Sequence, residues 1–196
     1  MRPIIGLVYR INRLRWSPDG KMVSFTNTTP TGIELWVADV DKRQARRLIG
    51  PRVNLAAGNS PAWLSDNERI VVALVPENRG PEPTKDPVPS APTTQENLGK
   101  TAPARTYQDL LRNSHDEARF DWTMRTQLAL IDAVDGARRD VGNPAIFSQV
   151  SAAPRGILLL IGRTVRPYSY LVTAGSFPEV IEVWNLEGKV VAEIAK

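Results

Sequence analysis

Few residues in this chain have the chemistry of a reaction centre. There is one histidine, His115, and no cysteine. Disulfides, thiolate metal sites and any site needing two imidazoles are therefore excluded within one chain. The nearest approach to a nucleophilic serine is Ser60, in Gly58-Asn59-Ser60-Pro61-Ala62. A nucleophile elbow needs Gly-x-Ser-x-Gly, because a strained strand-to-helix turn must present the hydroxyl. Ser60 lacks the second glycine, is followed at once by Pro61 and precedes a strand-like run, so it reads as a loop residue. His115 would have to be the general base, yet it lies in Asn113-Ser114-His115-Asp116-Glu117 and reads as a solvated histidine at the end of a short helix. Asp116 and Glu117 are sequence neighbours, and such pairs rarely face each other across a glycosidic bond. Gly-rich phosphate loops are absent. The expectation is no catalytic group, no metal site and no cofactor on this chain.

The elements around these residues repeat. Leu14-Arg15-Trp16-Ser17-Pro18-Asp19-Gly20 opens a unit running over about 11–49. Pro-Asp-Gly is a turn signal, since Pro presets φ, Asp caps the turn and Gly accepts positive φ. Strand-like runs follow at Lys21 to Thr26, Ile33 to Val40 and Ala45 to Ile49, separated by polar turns. This order predicts a four-stranded antiparallel meander. A second unit over 61–141 opens with Pro61-Ala62-Trp63-Leu64-Ser65-Asp66-Asn67, and a third over 147–194 turns at Ala153-Pro154-Arg155-Gly156. Trp16, Trp63 and Val150 align, as do Leu35 to Asp39, Leu128 to Asp132 and Glu182 to Leu186. Trp16, Trp36, Trp63 and Trp184 are expected in the core or between blades.

One meander is marginal alone. Stacking meanders radially buries their faces, which predicts an all-β fold, a partial β-propeller of about three four-stranded antiparallel blades in a single domain over 1–196. The rival arrangement is a twisted sandwich of the same strands.

The pattern breaks over 76–122, a Pro-rich and partly helical insertion in the second blade. Pro76, Pro81, Pro83, Pro87, Pro89 and Pro92 mark a loop or extended stretch. Thr106 to Asn113 then reads as a helix, with Thr106 and Asp109 as a capping box. Trp122, where the insertion returns, reads as a candidate for exposure. Insertions this long in a compact domain are functional or disordered.

The net charge of +4 comes from scattered arginines. They read as solvated strand ends and turns, not as the clustered, aromatic-interleaved face of a nucleic-acid binder. The longest apolar run, Ile157 to Ile161, is too short to cross a bilayer, and residues 1–10 are too short and interrupted for a signal peptide.

Trp16-Ser17-Pro18-Asp19-Gly20-Lys21 resembles the blade opening of propellers in prolyl-oligopeptidase-type serine peptidases. Leu74 to Gly80, Gln95 to Leu111, Thr26 to Thr29 with Gly32 to Asp39, and Arg166-Pro167-Tyr168-Ser169-Tyr170-Leu171-Val172 resemble the glutamyl endopeptidase branch of that family. The likeness runs from about Leu14 onward. It implies a propeller that covers an α/β-hydrolase and restricts access to peptides, with the Ser-Asp-His triad on a segment missing from this chain. It also implies that Arg79, Arg105 or Arg119, in or beside the insertion, pairs bidentately with a substrate carboxylate. The partners implied are a peptide substrate or a hydrolase domain on another segment, with neither nucleic acid nor membrane. Two alternatives stand beside this reading. One is a stand-alone binding or scaffold module that forms homo-oligomers through open blade edges. The other is a gene fragment with no function of its own.

Overall fold

The computed structural model describes residues 10–84 and 110–196. Twelve strands follow in chain order: β1 Arg10–Trp16, β2 Met22–Thr29, β3 Gly32–Asp39, β4 Gln44–Val53, β5 Ala62–Trp63, β6 Arg69–Leu74, β7 Thr126–Asp132, β8 Arg138–Ala145, β9 Phe147–Ala152, β10 Leu158–Thr164, β11 Glu179–Asn185 and β12 Val190–Ala195. The helix α1, Ser114–Met124, lies between β6 and β7. Every paired strand is antiparallel to its neighbour in sequence, giving meanders β1–β4, β5–β8 and β9–β12. The first two meanders touch through one backbone bridge, Val53 to Leu74. The third is a separate sheet.

The turns show why the units repeat. Gly20, Asn67 and Gly156 occupy the same turn of the three meanders, all with φ between 63° and 73°. Each closes a bond three residues back, to the carbonyls of Ser17, Leu64 and Ala153. Left-handed backbone suits glycine and, next best, asparagine, which is what the sequence supplies. The strand that follows the middle of each meander ends on a residue whose side chain caps the next turn. These are Asp39, Asp132 and Asn185. Asn185, not Leu186, thus corresponds to Asp39, so the third unit is offset by one from the expected alignment.

The middle meander decides between propeller and sandwich. A strand sends alternate residues to opposite faces. On β6, Ile70, Val72 and Leu74 enter one core with Leu35 and Val53 of the first meander. Val71 and Ala73 enter another, with Phe147, Leu159, Ile161 and Trp184 of the third. On β7, Ala129 and Ile131 join the first core, Leu128 and Leu130 the second. A sheet buried on both faces between two others is a blade, not half of a two-sheet sandwich. β5 packs against both β1 and β9, so the first strands of the blades lie side by side.

Close contacts seat the blades. Asn67 Oδ1 accepts from the Asp19 N–H at 2.8 Å, and the Trp63 indole donates to the Arg15 carbonyl at 3.2 Å. A Cβ on Gly142 would lie 2.7 Å from the Trp184 ring, and its φ is +60°. Only glycine lets the two blades come this near.

The tryptophans divide. Trp184 is buried, while Trp36 and Trp63 are half-buried. Trp16 corrects the expectation: it is 62% exposed. It lies on the first strand of the first blade, where no further sheet among the described residues covers it. Its repeat-equivalent, Trp63, has blades on both sides.

Buried charge is matched with partners. Glu34, on β3, accepts from Asn27, Trp36 and Arg47 at 3.0, 2.8 and 2.9 Å. Burial pushes its carboxyl up, but these three donors outweigh it and hold it below the usual range. Glu182, on β11, repeats the device with Arg163 and Trp184, at 2.8–2.9 Å.

Candidate functional site

The insertion leaves and re-enters the second blade between β6 and β7, at the face where the β10–β11 connection also emerges. Its described part is the stretch 75–84 and α1. The helix corrects the expectation in place and in cause. Residues 110–113 are not helical, and Asn113, in extended backbone, caps α1 by accepting from the Asp116 N–H at 2.9 Å. The expected cap at Thr106 lies outside the described residues. His115 therefore sits in the first turn of α1, not at the end of a helix. Asp116 accepts from the Arg112 N–H.

No residue of α1 is buried, so an apolar stripe does not hold it. A clamp from the β10–β11 connection does. Arg166 pairs with Glu117 and, at 2.7 Å, with Asp121. The Tyr168 hydroxyl donates to Asp121 at 2.5 Å, and that of Tyr170 to Glu117 at 2.7 Å. Beneath these bonds, Phe120 meets Tyr168 and Phe177 edge-on, and Tyr168 stacks on Phe177. The Tyr170 hydroxyl, then Arg166, holds the Glu117 carboxyl below its usual range. Burial, then the bond to Asp121, pushes the Tyr168 phenol up. Arg166-Pro167-Tyr168-Ser169-Tyr170, which entered above only as a resemblance, thus has a physical role, fixing the insertion helix to the third blade.

The other wall of this face carries the arginines. Arg79 lies over the Trp122 ring, 3.7 Å from its centroid. The Trp122 N–H donates to the Gly80 carbonyl at 3.1 Å, so this tryptophan of α1 is half-buried against the outgoing stretch of the insertion. Arg119 pairs with Glu82 at 2.9 Å, on the surface. Arg105 lies outside the described residues. Arg79 shares a cleft of about 550 Å³ with Arg125, which follows α1 directly. The sequence reading missed Arg125. Its position four residues after Asp121 was the available signal, once the helix is placed correctly. Ser60 lies between β4 and β5, in irregular chain that leads into a strand, and among the described residues no hydrogen bond joins it to His115.

No family model matches the chain. A probable chloroplastic glutamyl endopeptidase of Oryza sativa subsp. japonica is 36% identical over 194 residues, covering 94% of this chain and 20% of that protein. An acylaminoacyl peptidase of Pyrococcus horikoshii has the same fold over 95% of this chain and 25% of its own, with a TM-score of 0.54 at 16% identity. The β-propeller domain of the trilobed protease from Pyrococcus furiosus matches over 93% of this chain and 42% of its own, with a TM-score of 0.50 at 13% identity. This chain is a β-propeller segment resembling those of prolyl-oligopeptidase-type serine peptidases. The segment spans about a fifth of the curated relatives it matches. What it aligns with is the propeller part of peptidases.

Proposed function

We propose that this propeller segment screens peptides for a serine-type, glutamyl endopeptidase-like hydrolase whose triad lies on another stretch of polypeptide. The observation that carries the reading is the 36% identity over 94% of the chain to one fifth of such a peptidase, on a fold whose clamped insertion faces outward. In this role the chain supplies no nucleophile or general base. It supplies a wall that admits extended peptides, with Arg79 as a contact for substrate and Arg119 occupied by Glu82. The domain acts as one unit over 1–196, its insertion over 76–122 forming the screening edge. The test is a chimaera in which this chain replaces the matching stretch of the rice relative. It should cleave short Glu-containing peptides and spare folded proteins, while the chain alone cleaves neither. Inhibitor-sensitive turnover by the purified chain would overturn the reading.

A second reading rests on the two end strands. All residues of β1 and β12 are exposed, among them Leu14, Trp16, Val191 and Ile194. Edges that are unpaired among the described residues and flanked by apolar side chains invite another copy of the chain. Solution mass at micromolar concentration distinguishes the two: a dimer favours the self-associating module, and a stable monomer removes it.

A further inference from the structure

We infer that a second cavity, beside α1, seats the amino-terminal residue of a peptide, with a large apolar side chain inside and the α-ammonium at the rim. The inference goes beyond substrate screening, because it stands on the cavity alone and needs no hydrolase. The space measures about 320 Å³ and lies where α1, the β8–β9 link and the β10–β11 connection meet. Its deep wall is Ile146 and Phe147, both buried, and its helical wall is Phe120 and Met124, both half-buried. Phe120 and Met124 are four residues apart and share one side of α1, yet neither belongs to either core. Phe120 is held edge-on against Tyr168 and Phe177, so this wall is set before a ligand arrives and little order remains to be imposed. Ala174 and Gly175, both exposed, line the mouth. A volume this small holds one side chain and its backbone, not a helix or a folded segment.

Polar groups set the orientation. Among the described residues that line the cavity, Glu179, the first residue of β11, is the one charged group, and it is exposed. Among the described residues it belongs to no ion pair. Negative charge thus lies at the rim and apolar wall inside. A lysine side chain entering here would carry its ammonium past the carboxylate into the apolar end, where stripping water from a charge is costly. An amino-terminal leucine or phenylalanine has the opposite order: the side chain enters and the α-ammonium stays beside Glu179. Ser148 also lines the space, and its buried hydroxyl has no hydrogen-bond partner among the described residues. It supplies an unused polar contact for the peptide backbone.

The test is fluorescence anisotropy of short glycine–serine peptides, dye-labelled at the C-terminus, with the whole chain. A peptide beginning with leucine should bind about tenfold tighter than one beginning with alanine, the gain expected for burying most of an isobutyl group. Acetylating the amino end of the leucine peptide should weaken it about threefold, the size of an exposed ion pair. An acetylated peptide with an internal lysine should bind no better than the alanine peptide. Glu179→Gln should remove the acetylation effect and keep the leucine preference. Met124→Ser should erode the leucine preference while the melting curve stays in place, because the clamp and not Met124 holds α1. Equal binding of the leucine and alanine peptides overturns the inference without any variant. So does indifference to acetylation, or an acetylation effect that survives Glu179→Gln. A lysine peptide that binds as tightly as the leucine peptide overturns the orientation on which the inference rests.

Discussion

The Tyr168 hydroxyl donates to the Asp121 carboxylate at 2.5 Å, tying the β10–β11 connection of the third blade to a helix inserted in the second. An eleven-residue helix with no buried side chain is marginal by itself. Its order depends on this bond and on its neighbours at Arg166 and Tyr170. Replacing both Tyr168 by Phe and Arg166 by Gln should raise hydrogen exchange across residues 114–124 by about tenfold or more. The blades should keep their protection, because the aromatic contacts under the clamp and both cores are untouched. Unaltered exchange in α1 would show that something else holds the helix.

The clamp should also respond to acid and to strong alkali. The Glu117 carboxyl is lowered in the fold, chiefly by Tyr170 and then Arg166. Its contribution is fully present above the unfolded value of about 4.3 and is lost as pH falls through the lower folded value. The Tyr168 phenol is raised. Its contribution is full below about pH 10 and is lost as pH rises through the folded value. Exchange in α1, measured after pulses at graded pH, should therefore be slow through neutrality and rise at both ends. Glu117→Gln should flatten the acid limb and leave the alkaline limb in place.

Gly142 sets the distance between the second and third blades. Alanine there would place its Cβ 2.7 Å from the Trp184 ring, in backbone with φ +60°. Overpacking of this kind costs about 1–3 kcal/mol. Gly142→Ala should lower the urea midpoint and alter the near-ultraviolet signal of Trp184. Gly50→Ala is the control: a Cβ added there would have no neighbouring atom within 4 Å, so its effect should be small.

The two faces of β7 give a test of the blade arrangement itself. Leu128 and Ile131 are both fully buried, yet they enter opposite cores. Leu128→Ala and Ile131→Ala should each cost about 2–5 kcal/mol in urea unfolding. Leu14→Ala, on exposed β1, should stay within about 0.5 kcal/mol. A large loss on only one face of β7 would contradict burial between two sheets.

Much of the fold was legible because the blade is written in local signals. Positive-φ turns demanded Gly or Asn at positions 20, 67 and 156, and strands announced themselves by β-branched runs. The propeller class followed from repetition of those signals. Burial of particular residues did not, because it depends on what lies beside a blade. Trp16 and Trp63 have equivalent places in their units, and only one has neighbours on both sides. The helix was misplaced for a related reason. Its anchors are Arg166, Tyr168 and Tyr170, far along the chain, so neither an apolar period nor a local cap pattern could reveal them. With α1 placed wrongly, Arg125 could not be seen to share a cleft with Arg79.

Among the described residues, the backbone of the first and second blades is bridged only at Val53 and Leu74, and the third blade forms its own sheet. Each hydrogen-bond ladder is thus nearly self-contained, and the joints are made of side chains. A duplication or deletion of one entire unit would leave every surviving ladder intact and would require only that two new faces fit. Architectures jointed this way can change length in whole steps over evolutionary time, which a continuous barrel wall cannot do.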